Sequence, residues 1–67
     1  MDEQLHSLPR QLIELRMEHA DLDVMIDRLA AVIPVDELSL RRLKKRRLAL
    51  RDMIARLQAS VEPDDLA

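Results

Sequence analysis

Two runs of apolar residues, separated by Pro34, restrict most strongly what this chain can fold into. Within each run the apolar positions recur at alternating steps of three and four, the spacing of a helix that buries one stripe against another helix. We call these positions the inner face of each helix. In the first run they are Leu8, Leu12, Leu15, His19, Leu22, Ile26, Leu29 and Ile33. In the second run they are Leu40, Leu43, Arg47, Leu50, Ile54, Leu57 and Val61.

The two inner faces match each other when the chain folds back at Pro34. Opposing residue numbers then sum to 69 in seven layers, from Leu29 with Leu40 to Leu8 with Val61. Such agreement is rare by chance, so the sequence predicts an all-α fold: an antiparallel two-helix hairpin of coiled-coil type, assembled into a helical bundle. We expect one domain over residues 1–67, with helix 1 at about 8–33, a turn at about 34–36, helix 2 at about 37–61 and an acidic tail at 62–67.

Prolines and capping residues set these expected boundaries. Ser7 is a suitable N-cap for helix 1, with Pro9 in the first turn, where its missing N–H does no harm. Pro34 disfavours helical geometry at Ile33 and should end helix 1. Asp36 is a suitable N-cap for helix 2.

Three residue types that many functional sites require are missing. The chain has no cysteine, so disulfides and thiolate metal sites are excluded, and no glycine, so phosphate-binding glycine loops are excluded. It has no aromatic residue on which a base or small molecule could stack. We therefore expect no enzyme activity, no metal and no cofactor. The acidic N-terminus and the lack of any long apolar run predict neither a signal peptide nor a membrane span, and favour a cytoplasmic location.

The two halves of the chain carry opposite charge. Three basic residues against seven acids give residues 1–33 a net charge of −4, and eight basic residues against three acids give residues 36–61 a net charge of +5. An acidic helix beside a basic one supports the hairpin. We expect Asp23 to face Lys44 on its flank, although exposed pairs stabilise only slightly.

Residues 12–57 resemble the YdcH-like family of small bacterial proteins, a domain of unknown function. The resemblance rests on Leu15-x-x-Glu18-His19-x-x-Leu22-Asp23-x-x-Ile26 and on Leu43-Lys44-Lys45-x-Arg47-Leu48-x-Leu50-Arg51-Asp52-x-Ile54. The chain departs from the family where Leu12 replaces a common Phe and Met53 a usual acid. The resemblance implies a bacterial helical hairpin and no particular activity.

The inner faces contain two polar residues, His19 and Arg47, and Asp23 lies one turn after His19. These three could form a ligand or metal site, or a polar layer that fixes the pairing of the helices, in which the Arg47 side chain lies over Leu22 and reaches Asp23. We favour the polar layer, because one imidazole and one carboxylate are too few ligands for a metal and a guanidinium repels cations.

The basic segment 41–47 raises the possibility of nucleic-acid binding. Its charges point all round the helix, the chain is negative overall, and no aromatic residue accompanies them. We favour a solvated face and keep nucleic-acid association as the alternative function; an acidic partner protein could also dock there. The candidate basic patch is Arg41, Arg42, Lys45 and Arg46.

A second heptad-spaced apolar row lies on helix 1, nearly opposite the inner face. It consists of Ile13, Met17, Ala20 and Val24, and we call it the outer face. A hairpin cannot cover this row, and ordered rows of exposed apolar residues usually mark an interaction site. The sequence therefore predicts a non-enzymatic interaction module that forms a homodimer or larger even-numbered bundle, or docks on another protein.

Overall fold

A computed structural model of the chain describes residues 3–61, with side chains described from Ser7 to Val61. It contains two α-helices, α1 (Glu3–Ala30) and α2 (Glu37–Val61), which pack against each other. The predicted all-α hairpin is therefore confirmed, whereas assembly into a bundle stays a prediction. The acidic tail at 62–67 lies outside the described residues.

The start of α1 differs from its prediction. The helix begins at Glu3 rather than near residue 8, so Ser7 is not its N-cap and Pro9 lies inside it. Glu3 and Gln4 are good helix formers, and the segment before Pro9 contains no other helix breaker. Pro9 removes a single backbone hydrogen bond. The residues from Glu3 to Pro9 are therefore the first part of α1 and not a segment in front of it.

The end of α1 also differs from its prediction, because the helix stops at Ala30 and not at Ile33. The N–H groups of Ala31 and Val32 donate to the carbonyls of Arg28 and Leu29 at 3.2 Å, each three residues back. These shorter-range bonds tighten the last turn and break the α-helical phase before Pro34 is reached. Ile33 consequently leaves the inner face and is 89% exposed.

The start of α2 was predicted correctly, because Asp36 caps the helix. Its carboxylate accepts hydrogen bonds from the backbone N–H of Ser39 at 3.1 Å and from the Ser39 hydroxyl at 2.8 Å. The Asp36 carbonyl accepts the first helical bond, from the N–H of Leu40. The backbone bond from Ser39, with the hydroxyl bond next in weight, lowers the pKa of Asp36 below its ordinary value of 3.8.

The core of the hairpin is narrow. Among the described side chains, the buried hydrophobic ones are Leu12, Leu22, Ile26 and Leu50, and Leu50 is 0% exposed. Every other inner-face position except Ile33 is partly buried. The stripes predicted to face each other are therefore the stripes that the fold removes from water.

Candidate functional site

The outer face of α1 is uncovered in the hairpin. Ile13 is 58% exposed, Met17 62% and Val24 48%, and Ala20 between them is also exposed. Met17 lies two residues from both Leu15 and His19, which is about 200° around the helix axis at 3.6 residues per turn. The row therefore points away from α2, as its spacing predicts.

The outer face extends no further along α1 than Val24. The next position of the heptad pattern, Asp27, is charged and interrupts the row. Ala31, which follows Asp27 in the pattern, lies beyond the end of α1.

Single apolar residues elsewhere are also exposed: Met25 at 49%, Leu38 at 57%, Leu48 at 62% and Met53 at 43%. Leu38, Leu48 and Met53 lie on α2 and form no continuous heptad row, so they provide comparison positions for the outer face.

The polar layer does come together around Asp23. Arg47 donates from Nη1 to Asp23 Oδ1 at 2.7 Å, and His19 Nδ1 lies 3.6 Å from Asp23 Oδ2. The Arg47 side chain is 34% exposed and the His19 side chain 26%, so both are half-buried. One carboxylate is thus bonded to a guanidinium from the opposite helix and lies beside an imidazole of its own helix.

The ion pair expected between Asp23 and Lys44 does not form. Arg47 binds the carboxylate instead, as the polar-layer prediction expected, because its long planar side chain reaches across from the inner face and donates an N–H from Nη1 to Asp23 Oδ1. Glu18 makes a second bridge across the hairpin, accepting a bond from Arg46 Nη2 at 2.8 Å. This pair was not predicted, although the opposite charges of the two helices could have indicated it.

The arrangement around Asp23 suits a structural role better than a metal. Among the described residues no group of three or more His, Cys, Asp or Glu side chains is placed to hold a metal ion. The guanidinium on Asp23 also competes directly for the oxygen that a cation would need. What the three groups can do chemically is fix which layers of the two helices face each other.

The basic patch is solvent-exposed on α2. Arg41, Arg42, Lys45 and Arg46 are all exposed, and at 100° per residue they cover an arc of about 140°, with Arg46 at the edge of the arc nearest α1. Arg46 is held by Glu18, which neutralises one charge of the four. The structure therefore places the patch on one side of α2, with three charges for which it records no ion pair to a described residue.

The model of a protein family of unknown function, DUF465, matches residues 12–58, most of the chain. The chain belongs to this family. DUF465 is the YdcH-like family that the sequence resembles, so that prediction is confirmed. The DUF465 match includes the polar layer, the basic patch and the whole outer face, and it assigns no activity to any of them.

Comparison with curated proteins and with solved structures returned no match for this DUF465 chain. Within the described residues, neither helix combines the length and the apolar character that a membrane crossing demands.

Proposed function

We propose that this protein is a non-enzymatic helical interaction module that self-associates through the outer face of α1. The observation that carries the proposal is the exposure of Ile13, Met17 and Val24 in a heptad-spaced row on the hairpin's far side. Fully burying a side chain of this kind stabilises by roughly 1.5–3 kcal/mol relative to full exposure. A second helix that covers the row would recover a substantial part of that free energy.

The thin core of the hairpin supports a covering subunit. A chain of 67 residues buries only about 60% of its unfolded surface, and ordering the backbone costs about 1–2 kcal/mol per residue. The hairpin buries one stripe on each helix, and only one side chain of α2, Leu50, is fully buried. Self-association adds a second buried stripe without lengthening the chain.

The order of the four outer-face residues fits a symmetric dimer. When two copies of α1 pack antiparallel, Ile13 opposes Val24 of the second copy and Met17 opposes Ala20, so both pairs of numbers sum to 37. The two-fold axis then passes between residues 17 and 20, so the long Met17 faces the small Ala20 and the two β-branched residues face each other. A two-fold interface of this type uses the same surface on both subunits and closes on itself. The small Ala20 lets the two helices approach closely.

The absence of enzyme activity is part of the same proposal. Cysteine and glycine are missing from the sequence, and the one carboxylate of the polar layer, Asp23, is already bonded to Arg47 at a half-exposed position. Catalytic acids and bases are usually tuned inside a concave site from which water is excluded. The features of this chain are better suited to binding another helix.

Sedimentation equilibrium at micromolar concentration tests the proposal. The wild type should sediment as a dimer or larger even-numbered assembly. Replacing Met17 and Val24 with Glu places like charges in the proposed interface, and should yield monomers that are less stable and less helical. The matched control replaces Leu38 and Leu48 with Glu, since these α2 residues are 57% and 62% exposed but lie off the outer face.

The control variant should assemble as the wild type does. A wild type that is monomeric and fully folded would end the self-association proposal, and the outer face would then be a docking surface for a different protein. Loss of assembly in the control variant alone would move the interface from α1 to α2.

A further inference from the structure

A depression on one flank of the hairpin lies between the two helices, away from the outer face. It has a volume of about 430 Å³. Its lining residues are His19, Asp23, Lys44, Arg47, Leu48 and Arg51. A smaller depression of about 210 Å³ adjoins it, shares His19 and Arg51 with it, and adds Arg16 and Ile54.

The charges around this depression are unbalanced. It is lined by three cations, Lys44, Arg47 and Arg51, and by a single carboxylate, Asp23, whose oxygens already face Arg47 and His19. Among the described residues, the structure records no ion pair for Lys44 or for Arg51. Glu37 borders a neighbouring depression together with Lys44, but no ion pair joins the two. With His19 neutral, the lining carries a net charge of +2.

The three cations are placed together by the helix itself. Lys44, Arg47 and Arg51 are spaced by three and four residues, so they follow one side of α2 over two turns. Like charges at this spacing repel and destabilise a helix slightly. Asp23 compensates the central charge, on Arg47, but no ion pair among the described residues compensates Lys44 or Arg51 on this concave surface. An anionic ligand would supply the missing negative charge.

We propose that this depression binds the phosphate dianion of a small phosphorylated ligand, with Lys44 and Arg51 as its main charge partners. A phosphate monoester carries a charge of about −1.5 to −2 at neutral pH, which matches the net charge of the lining, whereas one carboxylate would balance half of it. The planar guanidinium of Arg51 suits two oxygens of a phosphate group, and Lys44 supplies a point charge.

The size and edge of the depression favour an organic phosphate. The volume is within the roughly 300–1,000 Å³ common for small-molecule pockets and is far larger than one phosphate group needs. Leu48, which is 62% exposed, offers an apolar contact at the edge for the rest of the ligand. A nucleic acid is a poorer occupant, since the cations are confined to a short flank and no aromatic residue accompanies them.

Titrating isotope-labelled protein with inorganic phosphate, followed by nuclear magnetic resonance at a constant ionic strength of about 150 mM, tests the site. The amide signals of His19 and of residues 44–51 should shift to saturation. The test variant carries Lys44→Gln and Arg51→Gln, and its dissociation constant should rise by about tenfold or more. The matched control carries Arg42→Gln and Lys45→Gln, which removes the same charge from the same helix outside the depression.

The control should bind within about twofold of the wild type. Circular dichroism verifies that both variants stay helical, as expected for exposed positions. Equal weakening in both variants would show diffuse attraction to a basic helix and overturn the proposal, as would shifts that never saturate. Phenyl phosphate and a phosphoserine peptide identify the source of the phosphate. Tighter binding of phenyl phosphate points to a free metabolite, and tighter binding of the peptide to a modified protein.

Discussion

α1 carries two apolar rows of the same heptad spacing, on opposite sides of one helix, and the hairpin covers only one. On the inner face Leu12, Leu22 and Ile26 are 8%, 6% and 4% exposed. On the outer face Ile13 and Met17 are 58% and 62% exposed. The heptad spacing therefore indicates that a row is suited to packing against another helix. It does not indicate which helix that is.

What separates the two faces is their match to α2. The inner face opposes a second row in the same chain, layer by layer, and its polar members His19 and Arg47 meet at Asp23. The outer face has no such row opposite it within the chain. A row with an internal partner builds the fold, and a row without one stays exposed, which is why we propose the outer face as the assembly surface.

The largest expected effect comes from truncating the inner face. Leu50→Ala empties a site that is 0% exposed, so it should lower the free energy of unfolding by about 2–5 kcal/mol. Leu48→Ala, two residues away at 62% exposure, should change it by less than about 0.5 kcal/mol. Urea unfolding of both variants at one protein concentration measures the contrast. A large loss at Leu48 would mean that a second subunit or a ligand covers that residue.

The sequence predicted the inner faces well because their spacing and their mutual match are independent signals. It failed at both ends of α1, where the outcome depends on a balance of small backbone terms. At the start, Pro9 removes one backbone hydrogen bond, and the helix propensity of the residues before it outweighs that loss. At the end, the tightened turn after Ala30 removes Ile33 from the inner face.

The candidate sites were predicted unevenly for a similar reason. The outer face follows from spacing, and the structure places its four residues where the spacing puts them. Two partners were expected for Asp23. The bond from Arg47 is confirmed, whereas the pair with Lys44 was wrong, because residue positions do not show how far a side chain reaches. The flank lined by Lys44 and Arg51 was missed because its cations belong to a longer basic segment, and only the packed helices separate them from the rest.

A smaller effect is expected at the turn that joins the two inner faces. Asp36→Ala removes the cap of α2 and should lower the melting temperature near neutral pH by a few degrees. Because the pKa of Asp36 is lowered in the fold, the charged cap stabilises above the unfolded pKa. That contribution disappears as the pH falls through the folded value. The difference between wild type and variant should therefore be largest at neutral pH and small at about pH 2.

Asp36→Asn is the matched control for the cap, because its amide oxygen can still accept the backbone hydrogen bond from Ser39 but the side chain does not titrate. Its stability relative to Asp36→Ala should be independent of pH. Melting curves by circular dichroism at several pH values make the comparison. A constant difference between wild type and Asp36→Asn over the same range would contradict the assignment of the pH dependence to Asp36.

The smallest change in stability is expected at the polar layer, which is the feature of the inner face that the outer face lacks. Arg47→Leu removes a half-buried guanidinium together with its bond to Asp23, and replaces it with an apolar side chain suited to an inner-face position. Exchanging a buried ionic group for an apolar one is often neutral or stabilising, so the melting temperature should stay the same or rise slightly. The expected loss is in the uniqueness of pairing, since a continuous apolar stripe no longer distinguishes one register from another.

Oxidative crosslinking reports the register of the two helices. Leu15→Cys with Ile54→Cys should crosslink efficiently in the otherwise unchanged protein, and Leu15→Cys with Leu50→Cys should not. In the Arg47→Leu background the second pair should gain at the expense of the first, with mixed oligomers in sedimentation. A cooperative loss of helicity in Arg47→Leu would instead show that the inner face depends on this ion pair for its stability, and not only for its register.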